Sequence, residues 1–251
     1  MRIELNNQVA LVTGAAHRLG KAIALALAQC GVHIMVHYNS ATADQLRETL
    51  HEIKALGVNA FAVQADLRDP TGIAQIMDAV HEHFGRLNIL VNSALIFPTS
   101  DFLDITLESW NDTFNINLRA PFLLTQQAAH LMHRNDPSGG VIINICDRGV
   151  DRAWTARPHH GVSKAALWSL TQVSAISLAP DIRVNAVVSG RVLKTNMNMS
   201  DEAWQQIGQN LPLKHTGDGT DVGRAVVYLS EEDFLTGVLI HVNGGEHLTD
   251  S

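Results

Sequence analysis

The chain has 251 residues, of which 46% are hydrophobic and 17% charged, a balance typical of folded globular proteins and not of disordered ones. Its formal net charge is −7, so no broad cationic face for nucleic acid or for an acidic membrane surface is expected. Two distant cysteines, no apolar N-terminal signal core and no run of about eighteen apolar residues predict a cytoplasmic protein without a disulfide framework or a membrane span.

Seven short apolar runs alternate along the chain with stretches of helical composition. Most runs are continuously apolar, as in strands that are buried on both faces of a parallel sheet. Alternating strands and helices predict an α/β fold with right-handed crossovers and helices on both faces. We therefore predict a single doubly wound Rossmann domain over residues 1–251, with a seven-stranded parallel sheet. The predicted strands are Val9–Thr13, Val32–His37, Asn59–Gln64, Ile89–Asn92, Val141–Cys146, Arg183–Val188 and Val238–Val242, and the clearest helices are Gly20–Gln29, Thr42–Leu56 and Thr71–Phe84.

A tight turn follows the first predicted strand. It reads Thr13-Gly-Ala-Ala-His-Arg-Leu-Gly20 and leads into a helix rich in alanine and leucine. Small residues there let the backbone approach a pyrophosphate, and the helix N-terminus supplies N–H groups and a positive dipole. Because the turn comes directly after the first buried strand, it is a candidate dinucleotide site.

The end of the second strand bears on the choice of dinucleotide. NAD-selective sites usually carry Asp or Glu there, whereas this strand ends Val36-His-Tyr-Asn-Ser40. Arg18 in the preceding turn offers a cation for a 2′-phosphate, so NADP(H) is favoured over NAD(H); a solvated Arg18 is the alternative. After the third strand, Asp66 is a candidate for binding the adenine amine, or else for capping the helix that begins near Pro70.

The segment from Leu193 to Gly219 has weak periodicity and several polar residues. Long loops in compact domains are often functional. We therefore expect residues 193–219 to form a substrate flap, with a plain surface excursion as the alternative.

Over essentially its whole length the chain resembles the short-chain dehydrogenase/reductases. The turn matches that family's Thr-Gly-x-x-x-Gly-x-Gly, with Arg18 in place of the middle glycine. Further matches are Asp66-Leu67, Asn92-Ser-Ala94, Asn117, Ile182–Gly190 and Thr236–Gly245, in the family's order. The cofactor-binding residues that the resemblance implies are Gly14, His17, Arg18, Leu19, Gly20, His37, Tyr38, Asn39, Ser40, Asp66, Leu67, Asn92, Ser93, Ala94, Lys164 and Gly190.

Within the family the chain looks most like the pteridine reductases. Arg18 and the His37–Ser40 stretch are typical of them, and they also place Asp where most members have a catalytic Ser, as Asp147 does here. Phe97 stands where their phenylalanine stacks the pterin, and a flat heterocycle binds well against an aromatic face; core packing is the alternative for this ring. The resemblance implies a pterin substrate contacted by Arg18, Phe97 and Asp147. Leu95 departs from the pattern, because pteridine reductases have Ser there.

The catalytic centre departs from the family at one position. Family members donate a proton from the Tyr of Tyr-x-x-x-Lys, whose two residues share a helix face. Lys164 is present, and the resemblance implies that it holds the nicotinamide ribose, but His160 occupies the tyrosine position. The interval from Asp147 to His160 equals the family's Ser-to-Tyr interval. The implied catalytic residues are thus Asn117, which would hold a water of the proton relay, Asp147, His160 and Lys164.

Three interpretations of that centre remain open. In the first, His160 is a substitute acid, because an imidazole titrates near neutral pH, or Asp147 donates the proton itself if desolvation raises its pKa. In the second, oxidoreduction is lost and the chain binds NADPH or a pterin-like ligand as a sensor or partner subunit. In the third, the altered centre runs a different reaction.

We expect no metal site. Cys146, Asp147, His159 and His160 are possible ligands, but adjacent histidines on one helix point about 100° apart and cannot easily reach one ion. We interpret Cys146 as a small core residue and not as a metal ligand.

The resemblance also implies an assembly. The predicted helices Asn117–His133 and His159–Leu178 match the surfaces that the family packs into a four-helix bundle between copies. A homotetramer, or at least a dimer, is expected, with a small molecule as the other partner.

Overall fold

The computed structural model describes residues 2–194 and 198–249. Within that part of the chain, seven parallel strands form one sheet in the order β3-β2-β1-β4-β5-β6-β7. The strands are β1 (Val9–Val12), β2 (His33–Tyr38), β3 (Ala60–Gln64), β4 (Ile89–Asn92), β5 (Gly140–Cys146), β6 (Ile182–Ser189) and β7 (Leu239–Val242). Every predicted strand is present with ends within one residue of those expected, which confirms the predicted fold class.

Helices cover both faces of the sheet. Along β1, Ala10 and Val12 pack into the core with α1, α2 and α8, whereas Val9 and Leu11 pack into the core with α3 and α5. Alternate strand residues therefore face opposite layers, as a doubly wound fold requires. Among the described residues, no helix has both the length and the apolar character needed to cross a membrane. The helices are α1 (Arg18–Gln29), α2 (Ala43–Ala55), α3 (Pro70–Phe84), α4 (Leu107–Phe114), α5 (Ala120–Met132), α6 (Pro158–Ser177), α7 (Asp201–Gln209) and α8 (Gly219–Glu231), with a π-helical turn at Asn115–Arg119.

The start of α3 corrects one alternative for Asp66. Asp69 is the N-cap, because its side chain accepts a hydrogen bond from the Thr71 backbone N–H at 2.8 Å, and Pro70 takes the first helical position. Asp66 instead pairs with Arg68, whose Nε lies 3.0 Å from Asp66 Oδ2. The capping role considered for Asp66 is therefore wrong.

The segment 193–219 contains a helix that the sequence did not predict. Ser200 caps α7 by accepting a hydrogen bond from the Ala203 N–H at 3.2 Å. Its apolar signal is weak because only Gly208 of this helix is buried. Residues 195–197 lie outside the described residues, and the flap stays a prediction.

Candidate active site

A cavity of about 620 Å³ lies at the carboxyl edge of the sheet, lined by residues that follow each of the seven strands described. The strand order reverses between β1 and β4, which is where open α/β sheets bind their ligands. The volume falls within the range of about 300–1,000 Å³ usual for small-molecule sites. The predicted residues that line it are Gly14, His17, Arg18, Leu19, Gly20, His37, Tyr38, Asn39, Ser40, Asp66, Leu67, Ser93, Ala94, Phe97, Asp147 and Gly190.

The structure also separates some predicted residues from the cavity surface. Asn92, Asn117, His160 and Lys164 are buried and do not line it. Asn92 donates to Asn144 Oδ1 at 2.8 Å and so ties β4 to β5. The lining residues that sequence reasoning did not assign are Ala41, Leu95, Ile96, Thr99, Ile116, Arg148, Trp154, Arg157, Ser189, Arg191, Val192, Leu193 and Glu246. Some of these residues could have been predicted from the sequence, for example Arg148 after β5 and Arg191 after β6. Residues directly after parallel strands lie at the same edge of the sheet as those after β1.

The turn between β1 and α1 depends on its glycines. A Cβ on Gly20 would lie 2.3 Å from the Gly14 carbonyl oxygen, and a Cβ on Gly14 would lie 3.1 Å from Ala94 Cα. Gly14 also has φ +66°, which is left-handed backbone. Arg18 has φ +54° at the position where the family has glycine, so an arginine side chain occupies a conformation that favours glycine. The result is a tight backbone cradle in which a side chain at either glycine would collide with neighbouring backbone.

His37 supports this cradle from below the turn. Its Nδ1 accepts a hydrogen bond from the Gly14 N–H at 3.3 Å, and its Nε2 lies 3.1 Å from the Ala65 carbonyl oxygen. Burial lowers the pKa of His37 to about 4, so the ring is neutral at pH 7. The ring therefore fixes the position of the turn and offers no positive charge to a phosphate.

Asp147 in the cavity wall forms a pair with the buried His160. His160 Nε2 lies 2.5 Å from Asp147 Oδ2, and Asp147 Oδ1 accepts a hydrogen bond from the Gly149 N–H at 3.0 Å. Burial works to raise the pKa of Asp147, but the hydrogen bond from His160 and the charge of Lys164 outweigh it, so that pKa lies below its ordinary value. Asp147 is thus a carboxylate that faces the cavity, with a buried imidazole behind it.

The other ring nitrogen of His160 has two kinds of partner. Its Nδ1 lies 3.0 Å from the Ile96 carbonyl oxygen and 3.2 Å from Asn117 Nδ2. A protonated Nδ1 donates to the carbonyl, and a bare Nδ1 accepts from the amide. Asn117 lies in the π-helical turn and is held by Ile96, whose N–H donates to its Oδ1 at 2.9 Å. The imidazole therefore has a partner in both of its protonation states.

Lys164 lies one helical turn after His160 on α6. Its Nζ donates to the Ile145 carbonyl oxygen at 2.7 Å. Its charge is among those that lower the pKa of Asp147. The expected contact between Lys164 and a nicotinamide ribose stays a prediction.

Cys146 is buried, as the core interpretation of this residue requires. Burial raises the pKa of its thiol to about 12, which keeps it protonated and unreactive. Among residues 2–194 and 198–249, no group of three or more His, Cys, Asp or Glu side chains is arranged to hold a metal ion.

Aromatic rings form the wall between His160 and the cavity. Phe97 packs edge-on against His160, with ring centroids 4.5 Å apart, and also against Trp154 at 5.2 Å. The Arg157 guanidinium lies over the Phe97 ring, 3.6 Å from its centroid. One face of Phe97 is thus already occupied by a cation, and the ring serves both as core packing and as cavity wall.

Comparison with known proteins identifies the family. A family model described as Enoyl-(Acyl carrier protein) reductase matches residues 14–247. The chain belongs to the short-chain dehydrogenase/reductase family. This short-chain dehydrogenase/reductase is 32% identical over 246 residues to 3-oxoacyl-(acyl-carrier-protein) reductase FabG of Staphylococcus epidermidis. The alignment covers 96% of this chain and 100% of that protein. The predicted family is confirmed.

Solved structures of similar proteins share the whole fold. FolM Alternative dihydrofolate reductase 1 from Brucella canis, complexed with NADP, has 30% identity and a TM-score of 0.91 over 99% of this chain and 97% of that one. Carveol dehydrogenase from Mycobacterium avium, in complex with NAD, has 26% identity and a TM-score of 0.89 over 98% and 99%. The fold of this short-chain dehydrogenase/reductase is therefore one that holds either dinucleotide in relatives.

Proposed function

We propose that the protein is an NADPH-dependent reductase in which Asp147 and His160 together replace the family's tyrosine as the proton source. The observation that carries this proposal is the 2.5 Å contact between Asp147 Oδ2 in the cavity wall and Nε2 of the buried His160. A proton held between these two groups lies at the surface of the cavity, although His160 itself has no exposed surface.

The residues at the other end of the cavity fit a nicotinamide dinucleotide. Gly14, His17 and Gly20 of the cradle line the cavity at the start of α1, where a pyrophosphate would meet the helix N-terminus, and the buried His17 Nδ1 has no hydrogen-bond partner among the described residues. Tyr38, Asn39 and Ser40 end β2 without a carboxylate, which supports NADP(H) over NAD(H). The NADP and NAD complexes of the relatives support a nicotinamide cofactor in general. When bound, the reduced cofactor would supply a hydride.

The chain's own residues then handle the proton. Asp147 rests as a carboxylate, so the proton of the pair lies on the His160 side of the shared hydrogen bond. Asp147 passes a proton to the substrate oxygen or nitrogen as it takes the proton of His160, and a proton from solvent then enters through Asp147 to restore the pair. Ile96 and Asn117 accommodate the imidazole before and after that transfer. The positive charge of Lys164 stabilises the carboxylate form of Asp147 between turnovers.

We propose a dihydropterin as the substrate, or failing that another carbonyl or imine compound. Arg18, Phe97 and Asp147 all line the cavity, and these are the residues that the pteridine reductase resemblance assigned to substrate. Similarity to a FolM dihydrofolate reductase supports the same choice.

The deciding test measures NADPH binding and NADPH oxidation together on purified protein. Dihydrobiopterin, dihydrofolate and a ketone panel are compared between about pH 5 and 8. Pterin-dependent oxidation is expected. Tight NADPH binding without turnover of any compound would contradict the reductase and favour a cofactor-binding protein without this activity.

We also propose that the chain assembles as a homotetramer through α5 and α6. Phe122 on α5 and Val162, Val173 and Ile176 on α6 are exposed apolar side chains in the single chain. Several exposed apolar side chains on two helices of one chain fit a contact between copies. A cytoplasmic location stays a prediction.

A further inference from the structure

The Asp147 end of the cavity is lined by three arginines that the proposed proton transfer does not use. They are Arg148, Arg157 and Arg191. Two of them stack on aromatic rings: Arg157 lies 3.6 Å from the centroid of Phe97, and Arg148 lies 5.0 Å from the centroid of Trp154. Stacking holds a guanidinium in one plane and leaves its N–H edge available for an anion.

The carboxylates in this part of the wall do not balance those cations. Asp147 is paired with His160, although its charge also acts on Arg157, and Glu246 is the acid that pairs with the other two arginines. Glu246 Oε1 lies 3.1 Å from Arg191 Nε and 3.9 Å from Arg148 Nη1, so a single carboxylate is shared by two guanidiniums. The Nε atom of Arg148 is buried and has no hydrogen-bond partner within the described residues.

Arg157 is the least compensated of the three. Within residues 2–194 and 198–249 it forms no ion pair, and its Nη1 donates to the backbone oxygen of Phe97. Burial lowers the pKa of Arg157, and the charge of Asp147 only partly opposes this effect. A guanidinium keeps its charge in proteins, so Arg157 offers a ligand a partly buried cation that forms no ion pair among the described residues.

We propose that the substrate carries a carboxylate beside its planar reacting ring, and that Arg148 and Arg157 bind this carboxylate. The inference rests on the proposed reductase function, because that function places the reacting ring next to Asp147. The planar fork of a guanidinium matches a carboxylate in two parallel hydrogen bonds. Arg157 lies over Phe97 and Arg148 lies over Trp154, and both aromatic side chains belong to the cavity wall. The two aromatic side chains would therefore contact the reacting ring of the substrate.

The test uses two pairs of probes that differ in charge and hardly in size. The first pair is 4-formylbenzoate and 4-formylbenzamide, and the second is pterin-6-carboxylate and its amide, in which the charged group is attached directly to the ring. Calorimetry on the NADP-loaded protein measures the Kd of each probe. The charged member of each pair is expected to bind roughly tenfold or more tightly than its amide.

Three variants assign that preference to a residue. Arg157→Met keeps the apolar stem without the charge and should remove most of the preference, whereas Arg157→Lys should retain part of it. Arg134→Met changes an exposed arginine outside the cavity wall and should leave both Kd values unchanged. The Kd of NADPH should be the same in all three variants.

The outcomes separate this inference from the proposed function. Equal Kd values for charged and amide probes in the wild type, or an unchanged preference in Arg157→Met, would overturn the carboxylate site. If Arg157→Met raised the Kd of NADPH by the same factor as the Kd of 4-formylbenzoate, Arg157 would be assigned to cofactor binding. That result would also overturn the carboxylate site. A charge preference without NADPH oxidation by any probe would leave the carboxylate site standing and refute the reductase.

Discussion

Single side chains decide which groups of this cavity can move a proton. Only Asp147 of the Asp147–His160 pair reaches the cavity surface, since His160 is covered by Phe97 and the rest of the wall. In the proposed mechanism the imidazole therefore acts through the carboxylate, unlike a tyrosine hydroxyl that touches the substrate directly.

Replacement of His160 should separate this role from cofactor binding. His160→Ala removes the group that passes its proton to Asp147, so kcat should fall by roughly 10²–10⁴-fold with little change in the Kd of NADPH. His160→Tyr restores the family's residue, and activity should extend to more alkaline pH because a phenol holds its proton up to about pH 10. Stopped-flow NADPH oxidation across pH measures both effects.

A matched control for these variants is His51→Ala, which alters an exposed histidine on α2. It should leave kcat and its pH profile unchanged. Wild-type turnover by His160→Ala would show that His160 does not supply the proton.

His37 gives a second prediction, on stability. Its folded pKa of about 4 lies below the unfolded value of about 6.5, so the folded chain binds this proton less well than the unfolded chain. Its contribution to the free energy of unfolding is complete above about pH 6.5 and is lost as the pH falls towards 4. At pH 5 the loss amounts to about 2 kcal/mol. Urea unfolding at pH 7 and 5 measures the change.

The variant His37→Gln isolates that contribution from the other histidines. Its free energy of unfolding should fall less between pH 7 and 5 than that of the wild type, because glutamine does not titrate. An equal fall in both proteins would mean that His37 is not the group that titrates.

At the scale of elements, the sequence predicts features that depend on one segment, but not features that depend on how separate segments pack together. The strands and the β1–α1 turn were predictable, since apolar runs and small residues carry their information locally. Arg148 and Arg157 share a cavity only because of the path between β5 and α6, which follows no periodic pattern. The rotation of α6 that buries His160 was likewise unpredictable, because packing on both sides of that helix sets it.

The β1–α1 turn supplies the prediction that belongs to an element. In Gly20→Ala the new Cβ would approach the Gly14 carbonyl to 2.3 Å, which forces the backbone of the turn to move. We expect NADPH affinity to fall by roughly tenfold or more, with a loss of about 1–3 kcal/mol in stability from overpacking. Fluorescence titration with NADPH and urea unfolding measure the two effects.

Gln29→Ala at the exposed end of α1 serves as the control for that variant. It changes the same helix without touching the turn, so NADPH affinity should stay at the wild-type value. Unchanged NADPH binding by Gly20→Ala would show that the cofactor does not use this cradle.

At the scale of the whole molecule, the sheet order places the cavity and the proposed contact between copies on different surfaces. The cavity lies at the carboxyl edge of the strands, where the order reverses between β1 and β4. The apolar residues of α5 and α6 lie on helices that flank the sheet. A change at the proposed contact between copies should therefore alter the mass of the assembly before it alters the cavity.

The proposed homotetramer makes the last prediction. Ile176 on α6 is 82% exposed in the single chain, so Ile176→Glu should cost little within one subunit but place a charge in an apolar contact between copies. Leu103→Glu is the matched control, since Leu103 is 93% exposed and lies outside α5 and α6. Sedimentation equilibrium should give a tetramer for the wild type and for Leu103→Glu, and smaller species for Ile176→Glu. A monomeric wild type would refute the assembly, and a tetrameric Ile176→Glu would move the contact away from this part of α6.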